Sequence, residues 1–244
     1  LKRNGSLLLI FKEREMYTWD GNSTQPDSLI RVGTIAQETV VNVHNLTFFI
    51  GKSQKDLGVY VFTGGYPKLI SRKIKKWTDA ISQDPDTLTH LCTGADEEHA
   101  YFYVGNIVFT NDELYGTRTF QDVWLVYNIS KDSWSVYDNL PARVFGNLTA
   151  SSSEKIYFGD SNGKVFETDN GTTDDNTSAA TPVNLEIVTR EEVFGAPELP
   201  VELHQVTVMA DKSQSTMMKY RYDRKGDFRT LGQLRGRVTT LDAP

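Results

Sequence analysis

Hydrolytic, redox and metal chemistry need convergent groups, and few side chains here stand at spacings that supply them. The four histidines, His44, His90, His99 and His204, are scattered, with no HExxH pair and no metal-finger spacing. His90 and Cys92 stand two apart. On a strand they would share one face and offer a metal two ligands, but isolated ligands of this kind more often pack or sit at the surface. No P-loop or GxGxxG occurs. Gly64-Gly65-Tyr66-Pro67 lacks the downstream Lys-Ser pair of a phosphate cradle and reads as a turn. Acids occur side by side at Asp96-Glu97-Glu98, Asp112-Glu113, Asp174-Asp175 and Glu191-Glu192. A glycosidase holds its two carboxylates across a pocket, whereas adjacent acids in polar loops are ordinarily solvated. Asp160-Ser-Asn-Gly163 opens like a calcium loop but lacks the third and fifth acidic ligands and the closing Glu, so it reads as a hairpin turn. No catalytic, cofactor-binding or metal-ligating residue is assigned, and no cofactor is expected.

Binding surfaces are the next class. Two basic clusters stand against an acidic average: Lys68, Arg72, Lys73, Lys75 and Lys76, then Lys219, Arg221, Arg224, Lys225, Arg229, Arg235 and Arg237. Each fits an acidic subunit or a phosphate backbone, although a solvated charged face is the commoner role. The formal net charge of −6 argues against a protein that coats nucleic acid with its whole surface. Asn-x-Ser/Thr acceptors include Asn22, Asn45, Asn128, Asn147, Asn170 and Asn176. Asn45 and Asn128 lie against expected strands, and the abundance of Asn, Ser and Thr accounts for most of the count. The single cysteine, Cys92, excludes an internal disulfide. No apolar run approaches the ~20 residues of a membrane span. The chain begins at Leu1 and enters an apolar run by Leu7, which reads as a cut from a longer chain rather than a secretory leader.

The elements that must position these groups are short strands. Leu7–Phe11, Met16–Trp19, Thr39–Val43, Leu46–Ile50, Val59–Phe62, Ala100–Val104, Val123–Tyr127, Lys155–Phe158 and Lys164–Thr168 are rich in β-branched and aromatic residues and bounded by Gly, Asn, Asp or Ser. Asn162-Gly163 supplies the positive φ of a tight hairpin between the last two. One helix interrupts them: Ser71 is the expected N-cap, Ile70, Ile74, Trp77 and Ile81 form an apolar stripe, and Asp84-Pro85 ends it. Residues 169–182 carry nothing apolar larger than alanine and read as a loop, with a boundary near Thr181. Beyond it, Val183–Val188, Val201–Met209, Thr216–Tyr222 and Thr230–Leu234 read as a second, β-rich piece with Asp223–Asp227 as a hairpin connection.

One motif recurs. Met16-Tyr-Thr-Trp-Asp-Gly21 resembles Val59-Tyr-Val-Phe-Thr-Gly64, with weaker echoes at Trp124–Ile129 and Val165–Asn170. Taking Tyr17, Tyr60, Leu125 and Phe166 as equivalent gives spacings of 43, 65 and 41, the repeat of a four-stranded propeller blade with an insertion in the middle gap. The expected fold is therefore all-β: a partial β-propeller of about four recognisable blades over residues 1–180, then a sandwich-like extension over 181–244, with one short inserted helix. A sandwich whose hairpins share turn residues is the competing fold.

The run from Leu7 to Ile81 carries a family likeness. An apolar strand and an aromatic-Asp-Gly turn lead into Arg31-Val-Gly-Thr-Ile-Ala-Gln-Glu-Thr-Val40. Asn45-Leu-Thr-Phe-Phe-Ile-Gly51, Gly58-Val-Tyr-Val-Phe62, Leu69-Ile-Ser71 and the helix to Asp79-Ala-Ile81 follow. This order resembles the tail hub, or packaged-DNA-stabilisation, proteins of tailed bacteriophages, to which podovirus nozzle proteins are related. Leu185–Arg190 and Tyr220–Gly226 look like the β-rich extension of that family. Four countable blades are fewer than such propellers need to close. The resemblance implies a non-enzymatic virion protein, assembled in the bacterial host's cytoplasm. It would form a ring, usually a hexamer, below the portal and head-to-tail adaptor. That ring would continue the DNA channel, touch packaged double-stranded DNA transiently, help retain the genome and anchor tail parts. An acidic wall suits this role because like charge lets DNA slide. The competing function is a propeller that binds or cleaves glycans at a tail tip or cell surface, with Trp19, Trp124, Tyr127 and Trp134 as stacking platforms. A third is a scaffold that displays peptide-binding loops.

Overall fold

Short apolar runs punctuated by turn residues bury their faces by pairing each run with the next along the chain. A computed structural model describes residues 1–22, 26, 28–150, 153–168, 186, 205–209, 216–220, 229–234 and 238–242. The chain divides into two units, Leu1–Gly171 and Thr172–Pro244. Among the described residues it is mostly β, and all strand pairs are antiparallel.

In the first unit, four sheets follow one another along the sequence. The first runs in chain order through β1 (Lys2–Asn4), β2 (Leu7–Phe11), β3 (Met16–Trp19) and β4 (Ser28–Ile30). The second holds β5 (Gly33–Thr34), β6 (Val41–Val43), β7 (Leu46–Lys52), β8 (Leu57–Phe62) and β9 (Lys68–Leu69). Its order is β5-β7-β8-β9, and β6 also pairs with β7. Helices α1 (Lys75–Asp79) and α2 (Pro85–His90) lead into the third, β10 (Cys92–Ala95), β11 (His99–Asp112), β12 (Gly116–Asn128) and β13 (Ser133–Tyr137). The fourth is β14 (Val144–Ala150), β15 (Ser153–Gly159) and β16 (Val165–Glu167). The motif equivalents Tyr17, Tyr60, Leu125 and Phe166 fall on β3, β8, β12 and β16, the third strand of each sheet.

Because side chains alternate across a strand, each sheet has a face toward its predecessor and a face toward its successor. The forward face of the first sheet (Leu9, Met16, Ile30) meets the backward face of the second (Phe49, Tyr60, Phe62). The second's forward face (Phe48, Ile50, Val59) meets the third's Phe102, Val104 and Leu125. The third's forward face (Tyr101, Tyr103, Trp124, Val126) meets Phe145, Ile156, Phe158 and Phe166 of the fourth. There are thus three successive seams rather than one central core.

Local differences from the sequence reading have local causes. Thr39 closes a 3₁₀ turn, Gln37–Thr39, where its hydroxyl donates to the Ala36 carbonyl at 2.6 Å, and the strand starts two residues later at Val41. The helical stretch arrives as a 3₁₀ turn, Ser71–Ile74, running into α1. Ser71 does not cap it; buried at 1% exposure, its Oγ accepts from the Val59 backbone N–H. Ile70, Trp77 and Ile81 do face the core, with Ile74 half-buried beside them. The first helical segment ends at Asp79, before Asp84-Pro85, which instead starts α2: Asp84 accepts from the Thr87 N–H as N-cap, and Pro85 needs no partner for its missing N–H. β11 and β12 run far beyond the expected strands and form an arm with register shifts between Tyr103 and Asp112. Helices and arm together account for the long middle spacing of the motif.

The β15–β16 hairpin forms as expected. Asp160 Oδ1 accepts from the backbone of Asn162 and Lys164, and Gly163 takes φ 78°. In the second unit, β17 (Gln205–Met209) pairs with β20 (Val238–Asp242), and β18 (Thr216–Tyr220) with β19 (Arg229–Leu234). The expected loop 169–182, the connection Asp223–Asp227 and, apart from Glu186, the strand Val183–Val188 lie outside the described residues.

Candidate functional site

Several ionisable groups of the first unit hold its joints. Asp132 sits in the β12–β13 turn at φ 47°, a left-handed conformation that Asp tolerates better than most residues. Its Oδ2 accepts from Lys73 Nζ at 2.9 Å and its Oδ1 from the Tyr127 hydroxyl at 3.0 Å; Lys73 also reaches its backbone carbonyl. Lys73 and Tyr127 hold the Asp132 carboxyl below the usual carboxylate range. Burial, then the adjacent Asp132 carboxylate, push the Tyr127 phenol up to about 12. This node ties the 3₁₀ turn before α1 to the third sheet.

A second joint fixes α1 to the arm. Trp77 packs edge-on against Phe109, Tyr115 and Phe120 at 5.0, 5.3 and 4.9 Å between centroids. Beside it, Lys76 Nζ bonds Asp112 Oδ2 at 3.0 Å, while Asp112 Oδ1 accepts from the Leu114 and Tyr115 N–H groups. Burial raises the Asp112 carboxyl, but these donors outweigh it and the net shift is downward. Lys75 is held by Asp79 one turn along. Three of the five cations in the first basic cluster are therefore ion-paired within the fold, and Lys68 and Arg72 remain exposed beside them. Of the second cluster, Lys219 and Arg229 are described, both exposed; Arg221, Arg224, Lys225, Arg235 and Arg237 lie outside the described residues.

The remaining candidates do not converge. His90 closes α2 and Cys92 opens β10, with Leu91 capping between them, so the pair does not share a strand face. Cys92 is buried in the third seam, and burial pushes its thiol up to about 12, which leaves it protonated and inert at neutral pH. Asp96 caps the β10–β11 turn by accepting from the Glu98 and His99 N–H groups, while Glu97 and Glu98 are exposed. No group of three or more His, Cys, Asp or Glu that could hold a metal occurs among the described residues. His44 stands exposed in the β6–β7 turn, and His204, Asp174-Asp175 and Glu191-Glu192 lie outside the described residues. Of the glycan acceptors, Asn22 and Asn45 are exposed in turns. Asn128 is engaged with His99, Ser130 and Lys131, and Asn147 donates to the Ala95 carbonyl; Asn170 and Asn176 lie outside the described residues.

The aromatic platform expected for a glycan does not assemble. Trp124 and Tyr127 lie on opposite faces of β12, in the third and second seams, at 1% and 8% exposure. The Trp124 indole donates to the Leu140 carbonyl, the Trp134 indole to the Ile70 carbonyl, and Trp19 is half-buried on β3. A cleft of about 340 Å³ lies between β8–β9 and α1, lined by Asp56, Leu57, Leu69, Ser71, Arg72, Lys75 and Thr78. Its hydroxyls serve the backbone, Ser71 accepting from Val59 and Thr78 donating to the Lys75 carbonyl. Its lysine serves Asp79. Sequence reasoning missed Asp132 because its partner Lys73 lies 59 residues away and nothing local marks the pair. No helix among the described residues is long and apolar enough to cross a membrane. No protein-family model matches the chain, and no curated protein matches it either.

Proposed function

We propose that this chain is a structural subunit of a phage tail hub or nozzle, whose first unit is a set of β-propeller blades. The single observation that carries the reading is the run of four successive antiparallel sheets joined by three seams, with the sequence motif on the third strand of each. Wedge-shaped sheets packed face to face in chain order are how a propeller is built. The likeness of residues 7–81 to the hub family supplies the biological setting. The use of acids and lysines supports a mechanical role. Lys73–Asp132, Lys76–Asp112 and Lys155–Glu167 tie elements to one another rather than aiming at a common point. A net charge of −6 suits a conduit along which DNA slides.

In this role the protein does no bond chemistry. Several copies form a collar below the portal and adaptor, bear the load of the tail parts and leave a passage for DNA. Electron microscopy of tailed particles labelled with an antibody to this chain is the test. Label confined to a ring at the head–tail junction or along the tail supports the proposal. Label absent from the particles, with the chain found only in the host cell, overturns it.

A further inference from the structure

The cleft between β8–β9 and α1 holds two charges that the fold does not use. Its serine, threonine and lysine are committed: Ser71 to the Val59 N–H, Thr78 to the Lys75 carbonyl and Lys75 to Asp79. The Asp56 carboxylate and the Arg72 guanidinium also line it, and among the described residues neither has a hydrogen-bond or ion-pair partner. Asp56 is nonetheless held in place through its backbone. Its N–H donates to Ser53 Oγ, and its carbonyl accepts from the Ser53 N–H and the Tyr60 hydroxyl. Arg72 stands in the 3₁₀ turn Ser71–Ile74, whose first residue is pinned to β8. The Tyr60 phenol, raised chiefly by burial, senses both charges, Asp56 pushing it up and Arg72 down. Leu57 and Leu69 supply the apolar wall. Gly58 lets Ser71 and Leu69 close against β8, since a Cβ there would stand 2.5 and 2.6 Å from them.

A carboxylate and a guanidinium that share a cleft without pairing suit a ligand that carries both opposite charges. The charges around the cleft cancel, Asp56 and Asp79 against Arg72 and Lys75. A net-neutral ligand therefore enters without leaving a charge uncompensated. A phosphate is the poorer fit, because Asp56 repels it and Lys75 is already neutralised by Asp79. The volume of about 340 Å³ matches that of about eleven liquid waters and lies at the small end of ligand pockets, so the occupant is small. We propose that this cleft binds a zwitterionic α-amino acid with an aliphatic side chain. Its ammonium meets Asp56, its carboxylate takes the fork of Arg72, and its side chain lies against Leu57 and Leu69. The proposal rests on the cleft alone and goes beyond the tail reading, which stands or falls separately by particle labelling.

Titration of the full chain with L-leucine, followed by backbone amide NMR, tests it. The amides of Leu57, Leu69 and Arg72 should shift and saturate with a Kd of about 1 mM, in keeping with a ligand of about nine non-hydrogen atoms. Asp56→Asn and Arg72→Gln remove charges that the fold does not bond. Each should leave the far-ultraviolet spectrum unchanged and weaken leucine at least about tenfold. 4-Methylpentanoate and isopentylamine, which are leucine without its ammonium and without its carboxylate, should each bind at least about tenfold more weakly than leucine. No saturable shift at about 50 mM leucine overturns the proposal, since a ligand this small in a built site saturates well below that. An affinity unchanged in either variant overturns it too. So does inorganic phosphate that displaces leucine and binds Asp56→Asn better still, because the cleft would then be a patch for anions only.

Discussion

At the scale of single residues, the Lys73–Asp132–Tyr127 node shows how a charge becomes a fastener. Asp132 is exposed, so its worth lies in geometry: one carboxylate oxygen for the ammonium, the other for the phenol. Its carboxyl pKa is lowered, so its contribution is present at neutral pH and lost as acid protonates it. Tyr127 has the opposite sign. Its phenol is raised from 10.0 to about 12, so the contribution is whole below pH 10 and fades as pH climbs through 12. Tyr127→Phe should cost about 0.5–1.5 kcal/mol at neutral pH, the range for one hydrogen bond, and flatten the alkaline fall in stability. Chemical denaturation at a series of pH values, followed alongside tyrosinate absorbance, measures both. Tyr103, raised by burial and then by Asp122, leaves a residual slope. An unchanged alkaline profile would show that this phenol is not the group that titrates. None of this was legible in the sequence, because an ion pair between distant surface loops leaves no periodicity and no motif.

Among the elements, what could be read and what could not divide along local and non-local lines. The hairpin at Asn162-Gly163 was legible because a left-handed glycine after Asn specifies its own turn. Repeat positions Tyr17, Tyr60, Leu125 and Phe166 were legible because each third strand ends toward a polar turn. The arm was not: beyond Val104, β11 continues through Asn106, Thr110 and Asn111, polar residues that read as loop but stand exposed on the side away from the core. On its inner side Phe109 packs against Trp77 of α1, some thirty residues away in sequence. That contact makes Trp77 the keystone of the insertion. Trp77→Ala should destabilise the chain by about 3–5 kcal/mol and free the arm, read as a lower denaturation midpoint and faster exchange of β11–β12 amides near Asp112. Trp77→Phe, which keeps an edge-on ring, should recover a large part of the loss. Equal exchange in the arm of wild type and Trp77→Ala would show that the arm holds its shape unaided.

For the whole first unit, the seams decide how force and unfolding travel. Each sheet packs on its predecessor and its successor, so stability is a sum of nearest-neighbour terms, as in stacked-repeat proteins. Gly94 on β10 probes one term alone. A Cβ there would stand 2.7 Å from Phe145 Cβ on β14, inside contact distance, and Phe145 is itself wedged against Trp124 at 4.8 Å. Gly94→Ala therefore pushes the fourth sheet off the third, at about 1–3 kcal/mol for overpacking. Hydrogen exchange gives the test. Amides of β14, β15 and β16 should lose protection, while those of β2, β3 and β7, in the first two sheets, keep theirs. The prediction bears on the proposed function, in which a collar under load must yield at one seam without melting the next. Equal loss in β2 and β14 would mean that the four sheets unfold as one block, and load in the collar would then be shared by the whole unit rather than seam by seam.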